Sequence, residues 1–129
     1  MNNKVDIVTA LSILGEKFRL VSRKGNYAET TNGKIIYRYS KRHENNTWWI
    51  AEYPEKMLDV DYLILYLDTY GIAVVPSDEI YQYCKTNHVK RLKGGRQSIR
   101  IRYENGHPVI YNKVTDPTLD LFTYFYPMN

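Results

Sequence analysis

Hydrophobic residues recur along the chain at intervals that predict two helices and several short strands. Residues 5–18 place their apolar side chains near helical spacing, which indicates an amphipathic helix. A second helix is predicted from Ser77 to about Thr86, because Ser77 is placed as its cap and Asp78 and Glu79 fill its first turn. Apolar runs bounded by turn residues predict strands at residues 34–40, 47–53, 61–67 and 72–75.

The last part of the chain has the pattern of a hairpin followed by a short helix. Residues 98–103 and 108–112 flank Asn105-Gly106, a pair that favours a tight hairpin turn. Asp116-Pro117 is typical of a helix start, with the aspartate as cap. The apolar and aromatic segment 121–126 is expected to pack onto the body of the protein.

The segment 61–67 is the most apolar and predicts a central strand that is covered on both faces. The elements together predict an α+β fold, with a single central mixed sheet flanked by helices. The length of 129 residues fits a single domain, residues 1–129. Strand periodicity predicts two opposite faces, one with Tyr62, Ile64 and Tyr66 and the other with Leu63, Leu65 and Leu67.

The composition predicts the compartment in which the protein functions. Cys84 is the sole cysteine, so an internal disulfide is excluded and a reducing compartment is favoured. The first residues contain no apolar signal core, and the longest apolar run, residues 62–67, is far shorter than a membrane span. We therefore expect a cytoplasmic protein with no membrane partner.

Charge is segregated along the chain, although the formal net charge is only +4. Residues 85–102, here called the basic tract, contain seven Lys or Arg and no acid. Residues 52–79, the acidic tract, contain seven Asp or Glu and a single base, Lys56. Because a basic patch attracts phosphates or acidic surfaces, the basic tract predicts a nucleic-acid or acidic protein partner.

The basic tract supplies the predicted binding site. Its Lys93-Gly94-Gly95-Arg96 segment lets the backbone approach a phosphate, although a flexible solubilising loop is the alternative. It lacks the Walker spacing, so nucleotide hydrolysis is not supported and no cofactor is predicted. Arg100 and Arg102 alternate with isoleucines and should share one face of a strand. The predicted partner-binding residues are Lys85, Lys90, Arg91, Lys93, Gly94, Gly95, Arg96, Arg100 and Arg102.

Three segments resemble the restriction-endonuclease-like, or PD-(D/E)XK, family. They are residues 35–41, 60–66 and 72–77, with sequences Ile-Ile-Tyr-Arg-Tyr-Ser-Lys, Val-Asp-Tyr-Leu-Ile-Leu-Tyr and Ile-Ala-Val-Val-Pro-Ser. The resemblance covers residues 5–86 and implies a restriction-endonuclease-like fold. The family's chemistry requires an acid and an acid-x-Lys motif, which hold a divalent metal and orient water.

The chain departs from that catalytic pattern. No Asp or Glu is followed two positions later by Lys, and the matching strand offers Tyr37-x-Tyr39 or Arg38-x-Ser40 instead. The resemblance therefore implies a degenerate active site without nuclease activity. Asp59 and Asp61, with Glu52 and Glu55 nearby, leave a cation site open as an alternative to exposed acids.

Two further pairs have competing interpretations. Cys84 and His88 are four residues apart, but zinc requires more ligands, so a buried thiol and a solvated histidine are expected. Trp48 and Trp49 should point to opposite faces of a strand. One indole is expected in the core and the other beneath a helix, the alternative being an anchor for a partner or a stacked base.

These observations support three hypotheses about function. The first is a non-catalytic protein that holds nucleic acid or a nucleoprotein on the basic tract. The second is a small phage or mobile-element protein that acts as a protein-protein inhibitor or adaptor, in which the acidic tract binds a basic target. The third is a nuclease with an atypical metal site.

Overall fold

The computed structural model describes residues 6–40, 47–52, 54–113 and 116–127. The α-helices in these ranges are α1 (Ile7–Leu14) and α2 (Ser77–Thr86), and short 3-10 helices span Gly15–Phe18, Pro54–Asp59 and Phe122–Tyr124. The strands are β1 (Leu20–Lys24), β2 (Tyr27–Thr30), β3 (Gly33–Ser40), β4 (Thr47–Glu52), β5 (Tyr62–Leu67), β6 (Gly71–Pro76), β7 (Gln97–Glu104), β8 (His107–Tyr111), β9 (Leu119–Asp120) and β10 (Phe125–Pro127).

The strands form two sheets, and the fold is α+β. The first sheet has the order β1-β2-β3-β5-β6-β10, and it is mixed because β3 and β5 pair in parallel. The second has the antiparallel order β4-β7-β8-β9. The prediction of one central sheet is therefore wrong, because the structure has two sheets. Strand β4 lies between β3 and β5 in sequence, but it pairs with the distant β7 instead of joining its neighbours.

The central strands of the first sheet are covered on both faces. On one face Ile64 and Tyr66 pack in a cluster with Ile7 and Leu11 of α1. The other face packs against the second sheet and α2 in a larger cluster. The predicted alternation of β5 is confirmed, since Leu63, Leu65 and Leu67 belong to the larger cluster and Ile64 and Tyr66 to the cluster beneath α1, against which Tyr62 packs.

The ends of the two helices show how local chemistry sets their bounds. The Asp6 carboxylate accepts a hydrogen bond from the Val8 N–H (2.9 Å) and caps α1. The second helix begins where predicted, but Ser77 does not cap it, because the cap position is Pro76. The Ser77 hydroxyl donates instead to the carbonyl of Val60 and ties the start of α2 to the chain entering β5.

The carboxyl-terminal region differs from its prediction. The hairpin forms as β7 and β8 around Asn105-Gly106, but no helix starts at Asp116-Pro117 among the described residues. The chain runs on to strand β9 because its backbone pairs with β8, with Leu119 opposite Ile110. Leu121 is fully buried, so the tail packs onto the body as expected.

Within the described ranges, none of the helices has the length and apolar character needed to cross a membrane.

Candidate functional site

The glycine segment of the basic tract forms a hydrogen-bonded turn that leads into β7. Arg91 pairs with Gln97 across the turn, and the Leu92 N–H donates to the Arg96 carbonyl (2.6 Å). Gly94 and Gly95 both have a φ of +93°, a conformation that disfavours side chains. The turn therefore fixes Lys93 and Arg96 at its exposed corners.

The cations of the basic tract differ in how much of their charge is free. Arg91 lies 2.5 Å from Glu55, and this hydrogen bond raises the pKa of Arg91 and lowers that of Glu55. Arg102 forms an ion pair with Glu104 on its own strand. With the residues that the structure describes, the other five cations make no ion pair: Lys85, Lys90, Lys93, Arg96 and Arg100.

The outer face of the second sheet carries a row of aromatic and basic side chains. Trp49 on β4, Arg100 on β7 and Tyr111 on β8 lie directly opposite one another in the strand register, so their side chains share a face. Arg102 is on the same face, as its alternation with the isoleucines predicts. The inner face carries Trp48, which is 1% exposed.

The exposure of Trp49 corrects one prediction. Trp48 is in the core as expected, but Trp49 is not covered by a helix, because 52% of its surface is exposed. The alternative interpretation, an exposed indole available to a partner, is the one that the structure supports.

A groove joins this sheet face to the glycine turn. It has a volume of about 440 Å³, and Leu92 of the turn lines it beside Arg100 and Trp49. The Arg102 guanidinium lies 4.8 Å from the centroid of the Tyr111 ring, in cation–π contact. Sequence reasoning missed Leu92 and Tyr111, since their placement depends on the register of a hairpin and on the path of the turn. The arrangement offers flat rings for stacking and cations for phosphate.

The remaining predicted residues lie outside this groove. Lys85 is in the last turn of α2, and Lys90 is in the exposed segment between α2 and the turn. Whether they join Lys93 and Arg96 in one continuous patch stays a prediction.

Most carboxylates of the acidic tract are hydrogen-bonded within the protein. Five of its seven carboxylates accept hydrogen bonds from the protein's own donors, which reduces their availability to a basic partner. These contacts are Glu52 with Arg38, Glu55 with Arg91, Asp61 with the Lys34 N–H, Asp68 with Tyr39 and Glu79 with Tyr124.

The side chains of β3, the strand of the first segment on which the sequence resemblance rests, make internal contacts. Tyr37 is buried and burial raises the pKa of its hydroxyl, while Tyr39 donates to Asp68 (3.4 Å). The Ser40 hydroxyl donates to the Trp49 carbonyl (3.2 Å). Among the described residues there is no group of three or more His, Cys, Asp or Glu that could hold a metal ion, so the possible cation site around Asp59 and Asp61 gains no support.

Cys84 and His88 do not form a reactive pair. Cys84 is 4% exposed, and burial raises the pKa of its thiol to about 11. His88 lies beyond the end of α2, is exposed and has a φ of +50°. The two side chains are therefore not on one helical face, and the expected buried thiol and solvated histidine are what the structure shows.

No family model, curated protein or solved structure matches this chain.

Proposed function

We propose that this is a non-catalytic binding protein that holds nucleic acid on the glycine turn and the outer face of the second sheet. The observation that carries the proposal is the alignment of Trp49, Arg100 and Tyr111 beside a turn whose cations make no ion pair with any residue that the structure describes. Phosphates are attracted by such cations, and rings next to them supply contacts that a purely solubilising loop lacks.

The charge distribution favours this function over the inhibitor alternative. Lys93, Arg96 and Arg100 are exposed, and with the residues that the structure describes they make no ion pair. Most carboxylates of the acidic tract are already engaged, as Glu52 is with Arg38. A basic target would therefore compete with internal donors, whereas a polyanion meets free cations.

The proposal also fits a restriction-endonuclease-like chain whose catalytic strand carries no acid. Arg38 and Ser40 occupy that strand and serve internal contacts with Glu52 and the Trp49 carbonyl. We place the function in the cytoplasm, where the sole cysteine remains a thiol. No cofactor takes part, and we expect no cleavage of nucleic acid with Mg²⁺ or Mn²⁺.

The decisive experiment measures binding of fluorescent oligonucleotides by anisotropy across a salt series. Replacing Lys93 and Arg96 with Ala should weaken binding to all sequences alike and flatten the salt slope by about one to two units. The matched control replaces Lys17 and Lys24 with Ala, because both lysines are exposed, make no ion pair with the described residues and flank the start and end of the β1 region. That control should bind like the unchanged protein.

Two outcomes would overturn the proposal. One is a folded protein that binds no nucleic acid at low salt. The other is equal loss of affinity in the Lys93/Arg96 and Lys17/Lys24 variants, which would show general charge attraction without a site. A protein partner that stays bound after nuclease treatment of a lysate, with no nucleic-acid binding, would instead favour the inhibitor or adaptor hypothesis.

A further inference from the structure

The outer face of the second sheet exposes a large indole side chain. Trp49 is 52% exposed, and Leu92 beside it in the groove is 40% exposed. Large apolar side chains that cluster at the surface, with cations around them, are typical of binding sites. This cluster lies next to the glycine turn, within the surface already proposed to hold nucleic acid.

The spacing of the row separates two stacking positions. Neighbouring strands lie about 4.8 Å apart, so the backbones that carry Trp49 and Tyr111 are roughly 10 Å apart with Arg100 between them. Trp49 forms one stacking surface. The guanidinium of Arg102, held over the ring of Tyr111, forms a second planar surface.

The chemistry of these surfaces distinguishes between forms of nucleic acid. In a duplex the faces of the bases are stacked on each other and are not available to a flat protein surface. In a single strand, bases can turn outward and stack on aromatic rings or on arginine guanidiniums. Arg100, between the two positions, is placed to meet the phosphate that joins such bases.

We propose that Trp49 and the Arg102 guanidinium, which lies over the Tyr111 ring, stack on unpaired bases, with Arg100 between them on the linking phosphate, so that the nucleic acid held by this protein is single-stranded. This inference rests on the proposed function and names its substrate class. Charge supports it through Arg100, which is exposed and makes no ion pair with the described residues, whereas the charge of Arg102 is balanced by Glu104 on the same strand and its contribution is the planar guanidinium.

The test compares binding of oligo-dT, oligo-U and a DNA duplex of equal length. Trp49→Ala should weaken binding of the single strands by about 5- to 150-fold and leave duplex binding unchanged. Trp49→Phe, which keeps a ring, should retain most of the affinity. Tyr126→Ala is the matched control, because this tyrosine is 40% exposed but lies on β10 of the first sheet.

Tryptophan fluorescence provides a second measurement that does not depend on the affinity of the alanine variant. Trp48 is buried and Trp49 exposed, so a base stacked on the surface should quench Trp49 alone. The quenching should saturate with oligo-dT and disappear in Trp49→Phe although that variant still binds.

The outcomes separate this inference from the proposed function. If Lys93 and Arg96 matter but Trp49→Ala binds single strands and duplex as the unchanged protein does, stacking is disproved and the electrostatic surface stands. Equal binding of single strands and duplex, without quenching, leads to the same conclusion. If no nucleic acid binds and Trp49→Ala abolishes capture of a protein, both proposals fail and the face is a protein-docking surface.

Discussion

Arg38 on β3 of the first sheet donates a hydrogen bond to the carboxylate of Glu52 on β4 of the second sheet. The Glu52 side chain is 1% exposed and that of Arg38 is 23% exposed, so a buried charge is held at the junction of the two sheets. A buried carboxylate is costly unless it is paired, and the pair therefore matters more for stability than the exposed ion pairs elsewhere.

The first prediction concerns this pair. Arg38→Ala should lower the free energy of unfolding by about 3 kcal/mol, because it removes an ion-pair partner of a buried carboxylate. Urea denaturation followed by circular dichroism measures the change. The double variant Arg38→Met/Glu52→Gln should recover much of this loss. If it is as unstable as Arg38→Ala or less stable, packing around Arg38 and not its charge stabilises the protein.

The adjacent tryptophans give the second prediction. Trp48→Ala should destabilise the protein by about 3–5 kcal/mol, since it empties a core position that contacts Tyr70 and Tyr103 edge to face. Trp49→Ala should change stability by no more than about 0.5 kcal/mol, since its indole is exposed. Thermal unfolding of both variants checks this, and a large loss in Trp49→Ala would show that its indole is part of the core.

The third prediction concerns Cys84. Burial raises the pKa of its thiol from an ordinary 9.0 to about 11, so the folded protein should not react with thiol reagents at neutral pH. The folded state binds the thiol proton more tightly than the unfolded state does. The protonated thiol therefore makes its full contribution to folding stability below pH 9, and this contribution is lost as pH rises to about 11. Labelling kinetics with and without urea test this; fast labelling under native conditions would contradict it, and Cys84→Ala gives the background.

The fourth prediction concerns the ion pair of Arg91 with Glu55. Glu55→Ala should release the Arg91 guanidinium, raise affinity for nucleic acid and steepen the salt slope by about one unit. Both side chains are exposed, so the melting temperature should hardly change. Glu16→Ala is the matched control, because Glu16 pairs with Arg19 near α1. An equal gain in both variants would place Arg91 outside the binding surface.

Local pattern was enough to predict the elements whose signals lie within a few residues. Helix α2, the strands β5 and β6 and the hairpin of β7 and β8 appear where the sequence predicts them. Strand β1 was missed because all five of its side chains are exposed, which leaves no alternation to detect. The second sheet was missed because the pairing of β4 with β7 joins residues about fifty positions apart, and no local pattern specifies it.

Some features of the candidate site could likewise be predicted from the sequence, and others could not. The shared face of Arg100 and Arg102 follows from strand alternation, and Glu104, two residues beyond Arg102, is a neighbour that the same alternation places beside it. The partner of Arg91 was not predictable, since Glu55 comes from a distant 3-10 helix. The exposure of Trp49 was equally unpredictable, because it depends on which face of the second sheet packs against the rest of the protein.

The pairing of β10 with β6 has a consequence for synthesis of the protein. Residues Phe125–Pro127 pair with Gly71–Ala73 and so cover part of a sheet edge that is synthesised much earlier in the chain. At about 5–20 residues per second, a ribosome leaves that edge open for roughly 3 to 10 s. An open apolar edge strand can pair with other chains, so this interval is when the nascent protein is most exposed to aggregation.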